Sequence, residues 1–183
     1  ARTVMATTKE ATRRNSGATP RASDLLVERR QGVLLLTLAR PDRRNSLSEA
    51  MLRALQAAIA DAGADSAVRA VVLAAEGSVF CAGHDLKELT AHRTDPDRGR
   101  AFTDKLMRLC ATVMQAIVRC PKPVIAAVQG TASAAGCQLV ATCDLAVASQ
   151  DAQFCTPGVN IGLFCSTPMV ALTRNVSRKR AME

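Results

Sequence analysis

Short apolar runs recur along this chain, each followed by a stretch with helical spacing, and that alternation leaves few folds open. Val33–Leu38, Ala70–Ala75, Val124–Val128 and Leu145–Ala148 have the length of strands and are too short for buried helices. Between them, Ser48–Ala62 is rich in Ala and Leu, and residues 101–119 place Leu106, Leu109, Val113 and Ile117 on one helical face. Gly136–Cys143 reads as a short helix. Strand, helix, strand repeated in this way implies an α/β layered fold with parallel pairing and right-handed crossovers. The run AVVLAA at Ala70–Ala75 is expected to be buried on both faces of its sheet.

The punctuation agrees with this order. Leu25–Val27 and Val33–Leu38 flank Arg29-Arg30-Gln31-Gly32 and read as a hairpin. Ser46-Leu47-Ser48-Glu49 has capping-box spacing, a Ser followed three residues later by Glu, ahead of the first helix. A glycine-containing loop, Gly77–Gly83, leads into a helix near Leu86–Ala91, and Pro121 and Pro123 stop the long helix. Pro168–Val176 begins another helix and Ser177–Glu183 the next, where the chain reads as interrupted. With 183 residues, there is room for one domain with a real core, placed at residues 23–183. No internal sequence repeat is visible.

Charge separates the ends from the body. The formal net charge is +8, of which residues 1–22 carry +4 and residues 174–183 carry +3, leaving +1 for everything between. The chain has no Tyr, no Trp and four Phe, so an aromatic platform for stacked bases is missing and the body does not argue for nucleic acid. Residues 1–22 read as a flexible basic tail or, being rich in Arg, Ser and Thr, as a targeting segment. The first reading implies a cytoplasmic protein and the second the mitochondrial matrix. No run reaches the roughly 20 apolar residues of a membrane span. Seven Cys, an odd number with no C-x-x-C pair, read as reduced thiols, and two His with no ligand-like spacing give no metal site.

Three segments carry chemistry. They are Arg40-Pro41-Asp42-Arg43-Arg44-Asn45-Ser46-Leu47-Ser48, then Val79-Phe80-Cys81-Ala82-Gly83-His84-Asp85-Leu86-Lys87-Glu88-Leu89, then Pro123–Gly130 running through Gly136-Cys137-Gln138-Leu139 to Cys143-Asp144. In order and spacing they resemble the crotonase (enoyl-CoA hydratase/isomerase) superfamily, over about residues 24–183. The resemblance implies a ββα spiral core, with the family's C-terminal helical region, which closes the acyl pocket and builds trimers or hexamers, absent from this chain. It implies an acyl-CoA partner, with coenzyme A entering as part of the substrate and no separate cofactor. By resemblance, the backbone N–H groups of His84 and Ala135 form an oxyanion hole for the thioester oxygen. Such donors stabilise developing charge, and losing one typically costs about 3–4 kcal/mol. Small residues let backbone and ligand approach, which Ala82, Gly83 and Gly136 supply. Arg43, Arg44 and Lys87 are candidates for the coenzyme's phosphates, and Asp85 is a further candidate beside the first donor, expected to cap the helix at Leu86.

One departure stands out. The family's hydratases use two Glu to hold and activate water; the matching positions here are Gln138 and Gly158. An amide takes no proton near neutral pH, and glycine has no group to offer. Positioned acid–base groups contribute about 10²–10⁴-fold, so two-glutamate hydration is not expected. Asp144 is expected to be structural. Cys137, Cys155 and Cys165 offer nucleophiles with no histidine in their segments, and Asn160, Ser166 and Thr167 offer polar contacts. Three readings stay open: an enzyme of this family with other chemistry, a non-catalytic acyl-CoA-binding paralogue, or an interaction protein whose basic ends bind nucleic acid or acidic partners.

Overall fold

The computed structural model describes residues 24–182, so the readings made for the basic tail lie outside the described residues. The chain starts as a hairpin of β1 (Leu25–Arg30) and β2 (Val33–Leu38), paired antiparallel from Leu25 opposite Leu38 to Arg30 opposite Val33. Its two-residue turn, Gln31-Gly32, has φ of 49° and 84°, the left-handed pair that matches strand twist.

Helix α1 (Glu49–Ala64) follows. Its cap is Ser48, whose side chain accepts from the Met51 N–H, and the expected Ser46/Glu49 box does not form. Ser46 turns its hydroxyl to Asp85 instead, and the Glu49 N–H is taken by the Glu88 carboxylate at 3.0 Å. Met51, Leu52, Leu55, Ile59 and Ala62 give α1 one buried face. It packs on α3 (Arg100–Val118), which buries Leu106, Cys110, Val113, Met114 and Ile117.

From β3 (Ala70–Ala75) the chain winds in turns of two strands and a helix. β3, β5 (Val124–Val128) and β7 (Leu145–Ala148) extend the first sheet in parallel, giving the order β1-β2-β3-β5-β7. β4 (Val79–Cys81), β6 (Thr131–Ser133) and β8 (Phe154–Cys155) form a second, parallel sheet of three. Helices α2 (Leu86–Ala91) and α3, then α4 (Ala135–Thr142), then α5 (Ser166–Asn175) close successive turns, and α6 (Arg178–Met182) ends the described residues. This is the expected spiral.

One burial expectation needs correcting. In β3 only Val71 and Leu73 are fully buried and the alternate residues are half-buried, so one face carries the core. β7 is exposed along its length, with Leu145 62% and Val147 68% accessible.

Candidate functional site

The first candidate loop is held from behind. Asn45 is fully buried, takes the left-handed conformation (φ 51°), and spends its whole amide on backbone. It accepts from the Arg40 N–H at 2.8 Å and donates to the carbonyls of Glu76 and Val79, each at 2.8 Å. That ties the turn 40–45 to both ends of the loop before β4. The Arg44 carbonyl then accepts the Ala82 N–H, Leu47 donates to the Gly83 carbonyl at 2.8 Å, and Asp85 donates to the Leu47 carbonyl at 3.1 Å. Because Leu47 bonds to residues 83 and 85, the intervening His84 turns its own N–H away from Leu47, as a parallel bridge requires. Among the described residues no group accepts that N–H.

The second amide comes from α4. Ala134 enters the helix with φ 49° and ψ −119°, a conformation costly for any residue with a Cβ and characteristic of functional turns. Ala135 is the first helical residue, so its N–H has no intrahelical acceptor, and none accepts it among the described residues. The two segments meet. A Cβ on Gly83 (φ 93°) would lie 3.3 Å from the Ala135 nitrogen and 3.1 Å from the Ala134 Cβ. At Gly136 a Cβ would fall 2.2 Å from the Cys81 carbonyl oxygen. Here the small residues serve the approach of α4 to β4 and its loop; ligand access is not what fixes Gly136.

The remaining candidates fall into two groups. Arg43, Arg44 and Lys87 are exposed on these neighbouring loops, Arg43 beside Asp42 at 3.7 Å. Asp85 is buried and its carboxylate is fully engaged. It accepts from the N–H groups of Lys87 and Glu88, from the Ser46 hydroxyl at 3.2 Å, and sits 3.7 Å from the Arg40 guanidinium. Its side chain therefore supports the loop instead of reaching outward, a correction to its place among ligand contacts.

His84 keeps its imidazole largely buried, with Nε2 unpartnered among the described residues, and burial pushes its pKa below the ordinary value. Gln138 is 9% exposed, and its amide oxygen is buried without a partner. It borders a cleft of about 540 Å³ between α3, α4 and α5, walled by Met114, Val118, Ala141 and Val170 and within the size range of ligand pockets. Asp144 is structural: it exchanges two bonds with Val124, through its N–H and its carboxylate.

Gly158 is buried and cannot host a glutamate in this conformation. A Cβ there would meet the Cys165 sulfur at 2.6 Å and the Leu163 carbonyl oxygen at 2.6 Å. All seven Cys are free thiols. Burial raises Cys137 to about 11, and Cys155 and Cys165 both stand close enough to bear on it. Among the described residues no cluster of His, Cys, Asp or Glu could hold a metal, and no helix is long and apolar enough to cross a membrane. Asn45, Ala134 and Cys165 are the site residues that sequence reasoning did not single out for the roles they hold.

Spiral fold, paired loops and free amides together define a class, and comparison agrees: the family model for enoyl-CoA hydratase/isomerase matches residues 28–183, so the chain belongs to that family. Within it, the human protein called enoyl-CoA hydratase domain-containing protein 3, mitochondrial, is 50% identical over 152 residues, covering 83% of this chain and 48% of its own length. The crystal structure of human enoyl coenzyme A hydratase domain-containing protein 3 superposes with a TM-score of 0.79 at 47% identity, over 86% of this chain and 60% of that one. An enoyl-CoA hydratase structure from Mycobacterium smegmatis gives 0.79 at 58% identity over the same shares. The three sequence segments look most like the domain-containing protein 3 subgroup. The chain spans about half the length of the curated relatives it matches.

Proposed function

We propose that this chain binds an acyl-CoA by its thioester, with the N–H groups of His84 and Ala135 donating to the carbonyl oxygen. The observation that carries the reading is the meeting of Gly83 with the Ala135 nitrogen while both amides stay unpaired. Two unpaired backbone donors on adjoining segments can favour an enolate or a tetrahedral oxyanion. Ala135 adds the N-terminal end of α4, where the helix dipole favours negative charge. Arg43, Arg44 and Lys87 lie on the outer side of the same loops and suit the phosphates of the coenzyme.

The reaction class follows from what the two carboxylate positions hold. Gln138 can accept and donate hydrogen bonds but cannot serve as a base, and at Gly158 the space is taken by Cys165. Isomerisation, thioester hydrolysis or decarboxylation, driven by oxyanion stabilisation, suits the site better than two-carboxylate hydration. A place in fatty acid or acyl-CoA metabolism follows from the substrate. The second reading, an acyl-CoA-binding paralogue without turnover, is favoured by the same two substitutions. The mitochondrial label of the human, rat and mouse relatives favours the matrix over the cytoplasm for the whole protein. A trimer or hexamer belongs to the same proposal.

Calorimetry with butyryl-CoA and with free CoA, followed by assays across several acyl-CoAs, tests the reading. Tighter binding of the thioester than of free CoA is expected, and equal affinity contradicts it. Binding with no turnover of any thioester leaves the paralogue.

A further inference from the structure

The cleft of about 540 Å³ runs beside one face of α4, where Gln138, Ala141 and Thr142 line it. Gln138 follows Ala135 by three residues on the same side of the helix, and its N–H donates to the Ala134 carbonyl at 3.0 Å. It sits about 4.5 Å further along the axis than Ala135, and helical side chains tilt back toward the N-terminus. The Gln138 amide therefore leans toward the turn that carries the free Ala135 N–H, and the cleft begins there.

Ala111, Met114, Val118 and Val170 make the facing walls apolar. Several polar groups of the cleft are spent inside the fold. The Thr142 hydroxyl donates to the Gln138 carbonyl at 2.7 Å, the Asn175 amide donates to the carbonyls of Ala141 and Ala171, and the Asp144 carboxylate accepts the Val124 N–H. The Gln138 amide oxygen is different: it is buried, in a residue 9% exposed, and among the described residues nothing donates to it. A buried acceptor without a donor is costly, so a ligand that donates there gains affinity and one that only accepts does not.

We infer that Gln138 makes the site selective for a hydroxyacyl-CoA, its amide oxygen accepting from a hydroxyl on the β-carbon while any longer hydrocarbon lies against Met114, Val118 and Val170. This rests on the acyl-CoA reading above. With the thioester oxygen at the Ala135 N–H, the β-carbon stands two bonds beyond the carbonyl carbon, so its hydroxyl comes within reach of a side chain rooted one helical turn away. An amide takes no proton, and the hydroxyl is held without being activated. Saturated and α,β-unsaturated acyl groups carry no donor at that carbon and leave the Gln138 oxygen buried and unmet.

Calorimetry on the full chain compares each enantiomer of 3-hydroxybutyryl-CoA with butyryl-CoA and crotonyl-CoA. One enantiomer is expected to bind about tenfold or more tighter than butyryl-CoA. That ratio is expected to fall to about one in Gln138→Leu, which has no acceptor, and to persist in Gln138→Glu, which keeps one. The ratio in the unsubstituted chain decides even if Gln138→Leu fails to fold. Equal affinity for the hydroxylated and plain thioesters overturns the inference and leaves the acyl-CoA reading standing. So does a preference that survives Gln138→Leu. If none of the thioesters binds, the acyl-CoA reading itself falls.

Discussion

Asn45 does the work of a small scaffold by itself. Its amide holds three backbone groups, and its left-handed φ is one that Asn tolerates better than most residues. Asn45→Ala orphans all three groups and is expected to cost about 3 kcal/mol or more, read by urea denaturation. A loss within experimental error would show the loop is held elsewhere. His84 supplies a pH signature. Its pKa in the folded chain lies below 6.5, so between that value and 6.5 the unfolded chain binds a proton that the folded one does not. Stability is therefore full above pH 6.5 and falls as pH drops through that window. His84→Leu, which keeps the amide, is expected to flatten the profile on the acid side of pH 6.5 while sparing butyryl-CoA binding. Gln138→Glu restores one family carboxylate where an amide oxygen now lies unpaired, and is expected to raise crotonyl-CoA hydration by about tenfold or more. No gain would show that Gln138 is not what limits hydration. Pairing it with Gly158→Glu is blocked by the Cys165 sulfur. At this scale the motifs marked His84, Ala135 and Gln138 because their residue types and spacing survive in the sequence. Asn45 and Ala134 escaped because their roles depend on a left-handed turn or on an approach between separated residues, which leave no local pattern; Cys165 reads in the sequence only as a nucleophile, and its place against Gly158 is not legible for the same reason.

Helices were legible to within one or two residues, since their apolar faces repeat over many turns: α1 and α3 show this best. The second sheet was not. β4, β6 and β8 have three, three and two residues, too few to show a period of two; β4 sits inside the Gly77–Gly83 stretch that reads as a loop. They are nonetheless what carries the site, because β4 beside β6 sets the Gly83 loop against the start of α4. Phe80, fully buried in β4, anchors that arrangement. Phe80→Ala is expected to cost about 3–5 kcal/mol in stability and to weaken acyl-CoA binding with it. Unchanged affinity in a destabilised but folded variant would mean the loop keeps its position without β4.

For the whole molecule, the alternation of runs and helices was enough to give a parallel α/β spiral, whereas the uneven covering of the sheets was not readable from composition. Leu145 and Val147 on β7 and Phe164 beyond β8 are all more than half accessible and lie on the late turns of the spiral. Apolar surface of this extent predicts that these 183 residues bind an apolar dye in native buffer, and that Leu145→Lys with Val147→Lys reduces the signal. The central claim concerns one carbonyl. The isotope-edited infrared difference spectrum of butyryl-CoA, labelled at the thioester carbon and bound to the chain, reads its polarisation directly. A carbonyl band shifted to lower frequency than in free butyryl-CoA is predicted; a bound thioester whose band stays at the free position contradicts the two-amide site.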